Sequence, residues 1–258
     1  GLVVLYLLAH YTVLLDQTAK HWLANAVWTF ASLGAALACI LTARRLTGHE
    51  RTTWILFGFA AGSWFVGQLV WDSLKLFAGE LTPFPALSDL FYMLLAPLIA
   101  AGVWVYTARV PTIAMSIKPL ADYGILAVAV LLGCLVVFFD VAQDPEISLL
   151  YKTVAFGYPV LFMSAFVFCL VLMLRAPRST AVLATLTLGV QAFANTVYAR
   201  QVLERGYEAG SVIDVLWVLA WLPLYAGTLL ARRDSRARSA AGVGGVVGEA
   251  VRQYEFML

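Results

Sequence analysis

Trp64, Gln68 and Trp71 fall at i, i+4 and i+7, one face of a helix. Asp89 and Tyr92 follow behind Phe84-Pro85 and Ser88. The same kinds of residue return later in the chain. Gln191, Asn195 and Tyr198 stand 127 residues after 64, 68 and 71, and Asp214 and Trp217 stand 125 after Asp89 and Tyr92. Carboxamides and aromatic rings inside apolar runs are suited to holding a ligand by hydrogen bonds and apolar contact. A polar side chain at membrane depth is costly and usually faces a bundle interior or a wet cavity. Two bland readings stand beside that one. The amides could be interhelical glue, and the rings an interfacial aromatic belt. Asp89 and Asp214 could simply cap the helices that they begin.

Bond-making chemistry has no support. The chain has no HExxH, no GxSxG and no phosphate-binding Walker loop. Cys39, Cys134 and Cys169 lack CxxC spacing, so neither a disulfide nor a metal site is expected. His10 and His21 show no paired pattern for haem, and no cofactor is expected. Acids at helix ends and not at mid-span also weaken a proton or ion pathway.

The elements that must position these residues are membrane helices. The 258 residues are 62% hydrophobic and 12% charged, whereas a soluble domain has about 45–50% and about 25%. Eight spans of roughly 20 residues are expected, at about 1–15, 22–41, 53–71, 88–107, 122–139, 153–174, 181–198 and 212–230. Between the third and fourth lies a polar loop whose Pro85 stops a helix and whose Ser88-Asp89 offers an N-cap. Gly58, Ala61, Gly62 and Gly67 thin one side of span three for close packing.

The fold class expected is therefore all-α and polytopic. The repeated spacing divides it into halves at about 1–110 and 120–230, reinforced by Gly102 with Gly227 and Pro97 with Pro223. Four spans per half is an even number, so both halves enter the membrane the same way. That is a parallel repeat about an axis along the membrane normal.

Lys and Arg set the orientation. Eleven follow the even-numbered spans, among them Arg44, Arg45, Arg178, Arg232 and Arg238, against five after the odd-numbered ones. Both termini then lie in the cytoplasm and the loop at 72–88 lies outside. Residues 231–258 open with a basic stop-transfer run and continue through a small, Gly-rich stretch at 240–248. That stretch is expected to be a flexible linker to a downstream cytoplasmic domain.

Trp64-x3-Gln68-x2-Trp71, then Phe84-Pro85-x2-Ser88-Asp89-x2-Tyr92, then Pro97 and Gly102, resembles the membrane-embedded N-terminal sensor region of bacterial GGDEF/EAL proteins, which make or degrade cyclic di-GMP. Pro85, Ser88, Asp89 and Tyr92 match that family's pattern, while Gln68 stands where the family has an acid. The resemblance is carried by residues 50–110 and extends to the rest through topology and tail. It implies a sensory input domain in the bacterial cytoplasmic membrane, whose catalytic partner is a separate domain, since no GGDEF or EAL residues are present. The expected partners are the lipid bilayer, an unknown small ligand and that downstream domain, with a homodimer as a further option and no nucleic acid. Two other classes compete: a small-solute permease, and a structural subunit of a larger membrane complex.

Overall fold

The computed structural model describes residues 16–78, 84–108, 118–175, 178–204, 206–207 and 213–255. Among them the regular structure is entirely helical: α1 (Gln17–Ala43), α2 (Gly48–Ala78), α3 (Leu87–Thr107), α4 (Lys118–Val137), α5 (Phe139–Gln143), α6 (Leu149–Arg175), α7 (Ser179–Leu203), α8 (Asp214–Leu219) and α9 (Trp221–Glu255). Among the described residues six segments are long and apolar enough to cross a bilayer: α1, α2, α3, α6, α7 and the α8–α9 pair, with α4 a shorter apolar helix. The chain is a polytopic, all-helical membrane protein. The expected span at 1–15 lies outside the described residues.

Burial runs in the direction that lipid demands. Phe77 is 88% exposed and Val136 75%, whereas Gln191 is 0% and Asn195 1% exposed. Amides turn inward because hydrocarbon offers them no hydrogen bonds.

Local sequence explains the element ends. Asp16 caps α1 by accepting from the Ala19 N–H at 2.7 Å. The turn into α2 needs Gly48, whose φ of +55° is a left-handed conformation that only glycine adopts freely. α2 continues past Trp71 to Ala78, so Asp72 and Lys75 are helical and not part of a loop as expected. Nothing between Trp71 and Ala78 breaks a helix, and an Asp–Lys pair three residues apart supports one. At α3 the cap position is Ala86, not Ser88-Asp89. Asp89 instead sits one turn in and reaches back, its Oδ2 accepting from the Ala86 N–H at 2.7 Å. The last expected span is broken after Leu219, although Ala220 keeps right-handed helical angles. Pro223 has no N–H for the Leu219 carbonyl, which accounts for the break. The tail at 240–248 is not the flexible linker expected: α9 runs through it to Glu255 as one helix.

Five spanning helices and the α8–α9 pair close a ring. α1 packs on α2, α2 on α3, α3 on α6, α6 on α7, α7 on α9, and α9 returns to α1. α4 stands outside, against α6. The ring's interior is filled at the end where α2 and α9 meet across it. There Trp54 and Phe57 are fully buried, edge to face at 5.4 Å. Gly102 and Gly227 make room for them: a Cβ at Gly102 would sit 2.5 Å from the Phe57 ring, and one at Gly227 3.1 Å from Trp54.

Candidate functional site

A cavity lies at the opposite end, where α1, α3, α6 and α8 begin and α2 and α7 end. It has a volume of about 30 Å³, room for roughly one water molecule. Seven of the ten candidate residues line it: Trp64, Gln68, Trp71, Tyr92, Asn195, Tyr198 and Trp217. They arrive from α2, α3, α7 and α8, so the helical spacing read from sequence does bring both sets together. Trp28, Tyr158 and Tyr207 complete the wall and were not anticipated. Trp28 lies on α1 and Tyr158 on α6, 130 residues apart. That separation differs from the 127 that relates residues 64, 68 and 71 to 191, 195 and 198, so spacing did not single the two out. Tyr207 sits between helices, where no periodicity could single it out.

Trp64 is the deepest of the α2 residues. Its ring lies 4.7 Å from Tyr92, 6.5 Å from Trp217, 6.2 Å from Trp221 and 6.4 Å from Phe162. It therefore touches four other helices and closes the cavity from below. Higher up, Tyr198 packs edge to face on Tyr158, Tyr207 and Trp217 at 4.8–5.5 Å. Such pairs hold ring orientation beyond their buried area.

Asp89, Gln191 and Asp214 were expected on the wall and instead stand behind it. Asp89 Oδ1 accepts from the Tyr158 phenol at 2.6 Å. Asp214 Oδ1 accepts from Tyr207 at 3.2 Å, and its backbone carbonyl accepts from the Trp28 indole at 3.2 Å. Gln191 receives the Asn195 amide on its side-chain oxygen (3.1 Å) and its backbone carbonyl (2.8 Å). The reason is length: a carboxylate at the head of a helix is too short to reach past the aromatic ring in front of it, so it bonds the ring's hydroxyl. Burial pushes the Tyr207 phenol well above its usual range, and the Asp214 charge adds to that. Tyr207 therefore remains a donor across the physiological range.

Gln68 joins three elements. Its amide donates to Asn25 Oδ1 (3.3 Å) and Asp72 Oδ1 (3.0 Å), and its oxygen accepts from Tyr92 (3.0 Å). Asp72 also accepts from Thr29 at 2.9 Å. Asn25 and Asp72 thus belong to the site, although the sequence reading left them out. The protons of Tyr92, Tyr158 and Tyr207 all go to acceptors: Gln68 in the wall, and Asp89 and Asp214 behind it. Other buried donors here do not follow this pattern: the indole N–H groups of Trp71 and Trp217 in the wall, and Gln191 Nε2 behind it, find no acceptor among the described residues. An unpaired buried donor costs about 1–3 kcal/mol, so the two indoles, which line the cavity, are sites where a bound polar atom would be stabilised. No cluster of metal-ligating side chains occurs among the described residues.

No family model matches the chain, and no curated protein or solved structure matches it either.

Proposed function

We propose that the chain is a membrane-embedded input domain that reads a small ligand at its outer end and drives a cytoplasmic partner through α9. The observation that carries this reading is the placement of Trp217. It lines the cavity, packs on Trp28 at 5.4 Å, and lies in the span that continues into the tail. A ligand that prefers one arrangement of these rings shifts that span by its differential affinity, typically about 1–3 kcal/mol for such coupling.

The filled end of the ring argues for a sensor over a permease. Trp54 and Phe57 close the interior where a solute would have to leave. A structural subunit would need no cavity with unsatisfied donors.

We further propose eight spans in two parallel four-helix repeats, with both termini in the cytoplasm of a bacterium. The contact order supports it. α1–α2–α3 matches α6–α7–α9, and the two joints between the halves, α3 on α6 and α9 on α1, correspond under one two-fold operation. Tyr158 reaches the Asp89 carboxylate and Trp28 the Asp214 backbone carbonyl, each contact running from one half to the other. The resemblance to GGDEF/EAL input regions makes a cyclic di-GMP enzyme the expected downstream domain, with a homodimer as the working assembly.

The test is a fusion of residues 1–258 to a diguanylate cyclase domain in a bacterial host. Asn195→Leu is expected to change cyclic di-GMP output at unchanged membrane abundance. Output identical to the parent for Asn195→Leu and for Trp217→Leu would remove the sensory reading.

A further inference from the structure

A cation already stands beside the cavity, on the ring of one of its lining residues. Lys75 Nζ lies 4.9 Å from the centre of the Trp71 ring, one turn further along α2. The ammonium is nearly buried and has Asp72 and Asp214 as its opposite charges. A π face with nearby carboxylates is the arrangement by which proteins recognise ammonium compounds. The rest of the wall has the same character. Tyr158 and Tyr207 give their protons to Asp89 and Asp214, so their rings line the cavity with the hydroxyl protons already engaged. Asp72 and Asp214 are the carboxylates whose charges act on Lys75, and Asp89 stands behind the same wall on Tyr158.

We infer that the ligand of this cavity is a small organic ammonium compound, and that Lys75 is a tethered competitor for its place on Trp71. This rests on the reading of the cavity as an input site and adds the ligand's class. Competition also resolves the size of the cavity. Its free volume suits a single water, so a larger head group enters by taking the position of the Lys75 ammonium. An oxygen on the ligand would then find the open indole N–H groups of Trp71 and Trp217.

The experiment uses the full chain in lipid nanodiscs and follows tryptophan fluorescence. The probes are choline and n-butylammonium, the latter an analogue of the lysine side chain. Their uncharged counterparts are n-butanol and the carbon isostere of choline, and potassium chloride holds the ionic strength constant. Saturable responses to the two cations and none to the alcohols are expected. Lys75→Met, which keeps the stem and removes the charge, is expected to tighten cation binding about tenfold, and Trp71→Leu to weaken it about tenfold, the worth of one desolvated cation–π contact. Trp71→Phe keeps a ring and should fall between, which separates a lost face from a misfolded protein. Lys75→Arg keeps the competitor and should bind as the parent does. Equal responses to n-butanol, or a Lys75→Met variant that binds no tighter, would overturn the inference. A cation-blind protein whose fusion output still depends on Asn195 and Trp217 would overturn the ligand class and leave the input reading standing.

Discussion

The Tyr158 phenol on α6 donates to Asp89 Oδ1 near the head of α3 across 2.6 Å, and the other oxygen of that carboxylate holds the Ala86 N–H. One side chain thus ties the joint between two helices to the start of one of them. Tyr158→Phe should leave Asp89 short of a partner and cost about 1–3 kcal/mol. Asp89→Ala should cost more, because it strands Tyr158 and removes the N-terminal cap contact as well. Cys39, Cys134 and Cys169 are free and buried, so a thiol-reactive dye reports unfolding directly. Both variants should label at lower temperature than the parent, with Asp89→Ala the lower of the two.

Two glycines make opposite predictions. A Cβ at Gly102 would sit 2.5 Å from the Phe57 ring, while one at Gly62 would meet nothing within 4 Å. Gly102→Ala should therefore force α3 away from α2 and destabilise the bundle by about 1–3 kcal/mol. Gly62→Ala should be neutral or stabilise by about 0.5–1 kcal/mol, through helix propensity alone. The same dye assay compares them, and a Gly62→Ala loss as large as that of Gly102→Ala would contradict the packing described.

The distribution of Lys and Arg gives a topological prediction. Cysteines placed at Thr47 or Arg178 should resist an impermeant thiol reagent in intact cells, and one at Ala78 should react. The native cysteines are buried and contribute little background. Labelling at Thr47 with protection at Ala78 would reverse the orientation and put the cavity on the cytoplasmic side.

At the end of the ring away from the cavity, α9 is fastened to the first hairpin. Arg232 donates to Thr42 Oγ1 (2.9 Å) and the Ala38 carbonyl (2.8 Å), and Ser235 to the Arg45 carbonyl (3.1 Å). Arg238 grips Glu50 with two nitrogens at 2.9 and 3.2 Å. Glu50→Gln together with Arg232→Gln should loosen α9 from α1 and lower the response of the fusion enzyme, with ligand binding at the cavity unchanged. Spin labels at Thr47 and Arg236 should show a broadened distance distribution in that variant. A narrow, parent-like distribution would mean that these contacts do not hold the tail.

Much of this was legible in the sequence for a physical reason. Periodicity of 3.6 placed Trp64, Gln68 and Trp71 on one face, and lipid forces that polar face inward, so convergence followed from residue type alone. Asp89, Gln191 and Asp214 were right in neighbourhood and wrong in layer, because spacing says which side a residue faces and not how far it reaches. Tyr207 and the Asn25–Gln68–Asp72 bonds depend on distances between helices that no single segment encodes. The Gly-rich tail misled for another reason. Glycine weakens a helix by about 1 kcal/mol per residue, but the run also contains Ala and Val and lacks proline, so helix continues from Trp221.

That continuity has a mechanical consequence. At 1.5 Å per residue, the 35 residues of α9 form a shaft about 52 Å long, longer than the hydrocarbon of a bilayer. A shaft transmits torque and angle, where a leash transmits only proximity. Each residue inserted into it advances its far end by about 100°. Whatever is attached would thus be set by rotational phase as much as by distance. Adding a single residue would disturb its alignment more than adding seven, which nearly restores the original facing.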